Sequence, residues 1–152
     1  MKEVEKKYPF KYEESMNSVL LQELARYNSL IEVIKGSLNT MIKTLEGKLV
    51  MNGEIERLVS SILNNSIPEQ WRARSYPSRK PLLSYVKDLS SRLKMLHEWI
   101  GKGQPCLFWI SGFFFTQSFL TGVKQNFARK YRYPIDKVSF SFKVLTYEAE
   151  VL

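Results

Sequence analysis

Residues 15–47 of the chain read SMNSVLLQELARYNSLIEVIKGSLNTMIKTLEG, and this segment predicts the longest element of the fold. Ser15 is a suitable N-cap, and Gly47 can adopt the left-handed conformation that ends a helix. A helix of about 30 residues would be about 45 Å long. Additional apolar side chains indicate packing on more than one neighbour. The main apolar stripe repeats at alternating spacings of four and three residues: Leu20, Leu24, Tyr27, Ile31, Ile34, Leu38, Met41 and Leu45.

Three shorter helices are predicted further along the chain, at about 53–64, 82–100 and 116–130. The prolines between residues 67 and 81 exclude a continuous helix there. The predicted inner face of the helix at 82–100 consists of Leu82, Val86, Leu89, Leu93, Leu96 and Ile100. The predicted inner face of the last helix consists of Phe119, Leu120, Val123 and Phe127.

Two segments of the second half read as extended. Residues 105–110 are short and apolar on both faces, which is typical of a buried strand or buried extended segment. Apolar and polar residues alternate from Val138 to Val144, which predicts a half-buried strand, and residues 147–152 could form its hairpin partner. Because two strands alone make a marginal sheet, we expect the sheet to be incomplete.

The predicted fold class is therefore mainly α. It has a long N-terminal helix, about three further helices, a short buried extended segment and a C-terminal strand or hairpin. The expected organisation is an N-terminal lead-in segment at 1–14, a helical region at 15–104 and the start of a truncated α+β domain at 105–152.

Composition limits the class of protein. The 152 residues suffice for one domain or a small pair, and an apolar content of 44% excludes wholesale disorder. The single cysteine excludes an internal disulfide and a zinc site of cysteines. No apolar run reaches the roughly 18 residues of a membrane helix, and no secretory signal begins the chain. A reducing, intracellular compartment is expected.

The positive charge lies mainly in the second half of the chain. Residues 1–50 contain 8 basic and 7 acidic side chains, whereas residues 51–152 contain 15 and 8, which gives a total net charge of +8. Such an excess suits nucleic acid, an anionic membrane or an acidic protein surface, and composition does not choose among them.

The sequence contains no recognisable catalytic constellation. Neither of the glycine-rich phosphate-binding motifs occurs, and His97 and Asp88 lie nine residues apart in one predicted helix. Cys106 has apolar neighbours, which favours a buried, inert thiol over a nucleophile. We therefore expect no catalytic residue, no metal site and no cofactor in this chain.

Basic and aromatic residues alternate in the proline-rich segment, at Trp71, Arg72, Arg74, Tyr76, Arg79 and Lys80. This composition suits a contact with nucleic acid or phosphate. A docked loop that pairs with an acidic neighbour, or a simply solvated one, is the more ordinary interpretation. The candidate interface combines these six residues with four of the long helix: Leu24, Tyr27, Ile31 and Leu38.

Several long motifs carry a family resemblance. They are YEESMNSVL (12–20), QE (22–23), YN (27–28), SYPS (75–78), KPL (80–82), DL (88–89), FWISGFFF (108–115), Gln117, FLTG (119–122), QN (125–126), ARKY (128–131) and PID (134–136). Across roughly residues 8–144 the chain resembles the far C-terminal region of dynein heavy chains, and the axonemal rather than the cytoplasmic type.

The resemblance implies a place and a role. The chain would contain the end of the lid of the sixth AAA+ module and the first part of the C-terminal domain. The family continues into further strands where this chain stops. The implied function is a non-catalytic structural part of an axonemal motor, which braces the AAA+ ring and supports microtubule-based ciliary or flagellar movement.

The partners and location that the resemblance implies follow from that role. ATP would bind in other modules of the parent motor. The partners would be the remaining AAA+ modules and, indirectly, microtubules and dynein intermediate and light chains, with no nucleic acid and no membrane. The location would be the cytoplasm and cytoskeleton, in the axoneme of a cilium or flagellum. The alternative is a free-standing basic adaptor or a nucleic-acid-binding module.

Overall fold

The computed structural model describes residues 2–144 of the chain, and this part is mainly helical. It contains six α-helices and two short 3-10 turns, at Ile110–Gly112 and Ile135–Lys137. The α-helices are α1 Lys2–Lys7, α2 Ser15–Leu45, α3 Gly53–Leu63, α4 Glu69–Arg72, α5 Leu82–Lys102 and α6 Thr116–Tyr131. No helix in this range is both long enough and apolar enough to cross a membrane.

The long helix α2 confirms the main prediction from the sequence. Gly47 has a φ of +74° just beyond its end, which is the left-handed conformation that stops a helix. The predicted capping role of Ser15 is not what the structure shows. Its hydroxyl instead hydrogen-bonds Gln125 Oε1 at 2.8 Å and accepts a hydrogen bond from Arg129, so it ties the start of α2 to α6.

The buried stripe of α2 shares alternate members with the predicted one, and each member between them lies one residue earlier in the sequence. Its members keep the alternating spacing of four and three residues, but the stripe includes polar side chains. Leu45, predicted to face inward, is largely exposed. The side chains on the stripe that are buried are Met16, Leu20, Glu23, Tyr27, Leu30 and Thr44.

Helix α5 shows the same one-residue shift at alternate positions of its stripe. Val86, predicted to face inward, is exposed, as is Phe127 on α6. The packing face is set by aromatic and charged residues that an apolar pattern does not include. The buried stripe of α5 consists of Leu82, Tyr85, Leu89, Arg92, Leu96 and Trp99.

Both extended predictions are wrong for the described residues. Residues 138–144 form no strand, because no described segment pairs with their backbone, and most of their side chains are exposed. The proposed hairpin partner at 147–152 lies outside the described residues. Residues 105–109 also form no strand, and Cys106 is exposed rather than buried. In an apolar segment without a neighbouring strand, the backbone N–H and C=O groups hydrogen-bond within turns or with water instead.

The chain divides into two compact units. The first comprises residues 1–23 and 96–152, and the second comprises residues 24–95. The predicted boundaries at 14 and 104 stay a prediction.

An aromatic cluster forms the core of the first unit. The ring centroids of Phe113 and Phe119 lie 4.4 Å apart, and those of Trp99 and Phe108 lie 5.3 Å apart. The residues around 113 approach α2 through Glu23. Its buried carboxylate accepts hydrogen bonds from the backbone N–H groups of Phe114 and Phe115, the second at 3.0 Å. A carboxylate thus holds the turn that precedes α6.

The second unit is organised by two asparagines at helix ends. The side chain of Asn52 accepts hydrogen bonds from the backbone N–H groups of Glu54 and Ile55, which caps α3. Asn65 has a φ of +52° and reaches the start of α5. Its backbone oxygen accepts from Leu82 N at 2.9 Å and its side-chain oxygen from Leu83 N at 3.0 Å. This asparagine fixes the point at which α5 begins.

Candidate interface

A buried carboxylate on α5 organises the second unit. Asp88 accepts hydrogen bonds from Tyr76 Oη at 2.9 Å, Arg92 Nε at 2.7 Å and Lys80 Nζ at 2.5 Å. Burial on its own would raise the pKa of Asp88, but the hydrogen bonds from Lys80, Arg92 and Tyr76 outweigh it and hold the pKa below its ordinary value. Asp88 is therefore ionised at neutral pH.

Tyr76 anchors the proline-rich loop in this network. Its ring lies 3.9 Å from the Arg92 guanidinium carbon and stacks on Tyr85, with ring centroids 5.6 Å apart. Burial, followed by the hydrogen bond to Asp88, raises the pKa of Tyr76 far above its ordinary value. The phenol is consequently a neutral donor, and its position fixes the middle of the loop.

Trp71 anchors the other end of the same loop. It is buried on α4, and its indole Nε1 donates a hydrogen bond to Ser37 Oγ at 2.8 Å. A buried tryptophan with its N–H satisfied holds a short helix in place. As a result α4 is fixed against α2, and the polypeptide leaves it at Ala73 towards the loop.

The candidate interface residues all lie in the second unit, but they differ in how deeply they are buried. Tyr27, Trp71 and Tyr76 are buried, whereas the remaining three residues of α2 are partly buried: Leu24, Ile31 and Leu38. The exposed members are the four cations Arg72, Arg74, Arg79 and Lys80. An incoming partner could thus touch the cations first. That these ten residues form an interface stays a prediction.

The basic side chains differ in their partners. Lys80 is paired with Asp88, and Arg72 lies 3.9 Å from the exposed carboxylate of Glu69, which is a loose pairing. Within residues 2–144, neither Arg74 nor Arg79 has a carboxylate partner. Both are exposed.

The first unit has an apolar surface that the sequence pattern did not indicate. The C-terminal half of α6 and residues 133–140 line a cavity of about 630 Å³. Its aromatic lining is partly exposed, and two lysines, Lys124 and Lys137, also line it. Large exposed apolar patches are typical of protein contacts. The aromatic residues are Phe127, Tyr131, Tyr133 and Phe140.

Sequence reasoning missed two buried carboxylates, Glu23 and Asp88. Each lies in a helix one residue before a position that the apolar spacing predicts to face inward, at Leu24 and at Leu89. A carboxylate at such a position indicates a buried acid that is hydrogen-bonded within the fold, because burying an unpaired carboxylate would cost free energy. Neither acid belongs to a metal site: residues 2–144 contain no group of three or more His, Cys, Asp or Glu side chains that could hold a metal ion.

Comparison with known proteins gives one consistent result. A family model described as the C-terminal domain of the dynein heavy chain matches residues 1–151. The chain is 54% identical to Dynein axonemal heavy chain 1 of Rattus norvegicus over 147 residues, which are 97% of this chain and 3% of that protein. It is 52% identical to Dynein axonemal heavy chain 12 of Mus musculus over 143 residues, which are 94% of this chain and 5% of that protein.

A human relative agrees. The chain is 53% identical to Dynein axonemal heavy chain 3 of Homo sapiens over 148 residues, which are 97% of this chain and 4% of that protein. The chain thus spans only a few per cent of the length of the relatives it matches. The match over residues 1–151 shows that the chain belongs to the family of C-terminal domains of dynein heavy chains.

Proposed function

We propose that this chain is a non-catalytic structural part of an axonemal dynein heavy chain motor. In that motor it braces the AAA+ ring and supports microtubule-based movement of a cilium or flagellum. The observation that carries the proposal is the family match over residues 1–151, together with identities of 52–54% to axonemal heavy chains. The place of action is the cytoskeleton of the axoneme, since the relatives are named as axonemal.

The exposed apolar surface of the first unit supports a bracing role. The side chains of Phe127, Tyr131, Tyr133 and Phe140 are between 40% and 58% exposed around one cavity. Burying apolar area contributes about 25 cal/mol per Å², so such a surface stabilises a contact with a second body. The matched region is 3–5% of the relatives' length, and the rest of the heavy chain is the partner we assign to it.

Direct and indirect partners follow from this placement. The direct partners are the remaining AAA+ modules. Microtubules and dynein intermediate and light chains are indirect ones, reached through the assembled motor. Of the ten candidate interface residues, the four exposed cations make the contact with the modules, and the buried Trp71 and Tyr76 hold the segment that carries them. The expected segment boundaries remain at residues 14 and 104.

The chain itself should not hydrolyse ATP, which in this proposal binds in other modules. The sequence contains no phosphate-binding glycine motif, and its two buried carboxylates are engaged with donors inside the fold. Isothermal titration calorimetry of the purified chain with Mg-ATP tests this directly. We expect no saturable heat, and a stoichiometric complex would overturn the non-catalytic assignment.

Capture of the chain by a motor that lacks this segment tests the bracing role. The bait is human Dynein axonemal heavy chain 3 truncated before the matched region, co-expressed with an affinity-tagged form of this chain. We expect stable co-purification. A folded chain that is recovered alone, as a monomer with a cooperative melt, would favour the free-standing adaptor instead.

A further inference from the structure

The positive charge of the second unit is concentrated in one segment. Residues 70–95 contain seven basic side chains and a single acidic one, Asp88. Asp88 already forms ion pairs with Lys80 and Arg92 inside the fold. No acidic side chain of the segment is therefore left to neutralise its excess positive charge. A positive electrostatic potential remains around its exposed residues.

Three of these cations lie close together along the sequence, at the end of α4 and in the proline-rich segment that follows it. Arg72, Arg74 and Arg79, here termed the arginine loop, are all exposed. Only Arg72 has a carboxylate nearby among the described residues, and that contact with Glu69 is long and solvated. Exposed single pairs of this kind contribute little. The arginine loop thus keeps its capacity to bind carboxylates.

The backbone beneath the arginine loop is fixed on both sides. Trp71 and Tyr76 are buried and hydrogen-bonded, and Ser78 Oγ accepts from Lys80 N at 3.2 Å. Pro77 and Pro81 restrict the remaining torsions. A pre-ordered loop loses little conformational entropy on binding, which favours its use as a docking element.

The chemistry of the loop selects the kind of partner. Proteins that bind single-stranded nucleic acid stack bases on exposed aromatic side chains between the cations. Here the two aromatic residues interleaved with these arginines, Trp71 and Tyr76, are each 4% exposed and therefore buried in the fold. The guanidinium fork, by contrast, matches the geometry of a carboxylate in two parallel hydrogen bonds. The exposed groups therefore fit an acidic protein surface.

We infer that the arginine loop docks on a carboxylate-rich surface of the rest of the dynein heavy chain. The inference rests on the proposed function, because it assumes that the chain acts within such a motor. It adds to that function the chemistry of one contact: Arg74 and Arg79 lack an acid among the described residues, and the acids that satisfy them belong to the adjoining module.

The test compares charge variants of the chain in the same capture experiment. The bait is truncated human Dynein axonemal heavy chain 3. The test variant is Arg74→Glu with Arg79→Glu. The matched control is Lys35→Glu with Lys43→Glu, which changes the net charge equally at exposed positions of α2. Circular dichroism melts show whether each variant folds.

We expect the dissociation constant to rise at least about tenfold in the arginine variant and to change less than about twofold in the control. A charge-preserving variant, Arg74→Lys with Arg79→Lys, should bind more weakly than the wild type, because an ammonium group cannot make two parallel hydrogen bonds to one carboxylate. It should still bind more tightly than the glutamate variant and form carbodiimide cross-links to Asp or Glu of the bait. Those cross-links would identify the acidic surface.

The result that would contradict the inference differs from the result that would contradict the proposed function. Equal capture of the wild-type chain and the arginine variant would overturn the inference and leave the proposed function standing. No capture of the folded wild-type chain would overturn the proposed function, and the inference with it. Displacement of the bait by a 30-nucleotide single-stranded RNA at low micromolar concentration would assign the loop to nucleic acid and also overturn the inference.

Discussion

Gly122 of α6 faces Val19 of α2 so closely that a β-carbon added to Gly122 would lie 2.8 Å from Cγ2 of Val19. Real β-carbons do not approach a neighbour at this distance. The neighbouring atom belongs to a β-branched side chain, whose χ1 torsion has little freedom in a helix. The contact between these two helices therefore depends on the absence of a side chain at position 122.

Gly122→Ala should destabilise the chain by about 1–3 kcal/mol, because overpacking outweighs the helix propensity gained with alanine. Urea unfolding followed by circular dichroism measures the change. Gly36→Ala is the matched control, since a β-carbon there meets nothing within 4 Å and should stabilise α2 by up to about 1 kcal/mol. Equal effects of the two substitutions would contradict the close packing of α2 and α6.

Glu23→Ala should destabilise the chain by about 3 kcal/mol, because the backbone N–H groups of Phe114 and Phe115 lose their charged acceptor. The same urea experiment measures it. Glu32→Ala on the exposed face of α2 serves as the control and should change stability by less than about 0.5 kcal/mol. A loss for Glu23→Ala no larger than that of the control would mean that the carboxylate does not hold the turn before α6.

The stability of the chain should fall in acid through Asp88. Its pKa in the folded state lies below the ordinary value of 3.8. The stabilisation is therefore fully present above about pH 4 and is lost as the pH falls through the folded-state pKa. Urea midpoints at pH 7 and at pH 3 measure this loss.

Asp88→Asn isolates that contribution. The variant should be about 3 kcal/mol less stable at pH 7, because the largely buried charge of Arg92 loses the compensating charge of the Asp88 carboxylate. Its stability should also change less than that of the wild type between pH 7 and pH 3. An unchanged pH dependence would show that another carboxylate dominates the acid transition.

Alkaline unfolding should report on Tyr76. Burial raises its pKa, and burial also raises that of Tyr85, so both phenols stay protonated in the fold above pH 10. The stabilisation is present below pH 10, where the phenols of the unfolded chain begin to ionise, and is lost as the pH rises further. For Tyr76 the loss amounts to about 1.4 kcal/mol per pH unit in that range.

Tyr76→Phe should remove one of these two contributions, so its stability should fall less steeply between pH 10 and pH 11. Tyr133→Phe is the control, since Tyr133 is exposed and its substitution leaves the buried Tyr76 in place. Urea unfolding combined with phenolate absorbance near 295 nm measures both. Identical slopes in the two variants would contradict a protonated, buried Tyr76.

The helices could be predicted from the sequence because their local signals are strong. The alternating spacing around α2, the stop at Gly47 and the start of α3 at about residue 53 all fall where the structure has them. The choice of buried face was less successful. On α2 the packing stripe includes Glu23 and Thr44, which a purely apolar pattern passes over in favour of the neighbouring position.

The extended segments and the charged core could not be predicted for a different physical reason. A period of two at Val138–Val144 indicates a strand only where another strand is available to pair, and pairing is a property of distant residues. Likewise, the set of hydrogen bonds that Asp88 accepts from Tyr76, Lys80 and Arg92 depends on the path of the proline-rich loop. The cations of the candidate interface could be selected from the sequence, but the burial of Trp71 and Tyr76 among them could not.

The most direct test of the central claim is microtubule-stimulated ATP turnover by an axonemal dynein heavy chain truncated before this segment. The turnover is measured with and without the chain supplied as a separate polypeptide. If the chain braces the motor, adding it should restore turnover, and the Gly122→Ala variant should restore less in proportion to its loss of folding. Turnover that is unchanged by a folded, wild-type chain at saturating concentration would contradict the account.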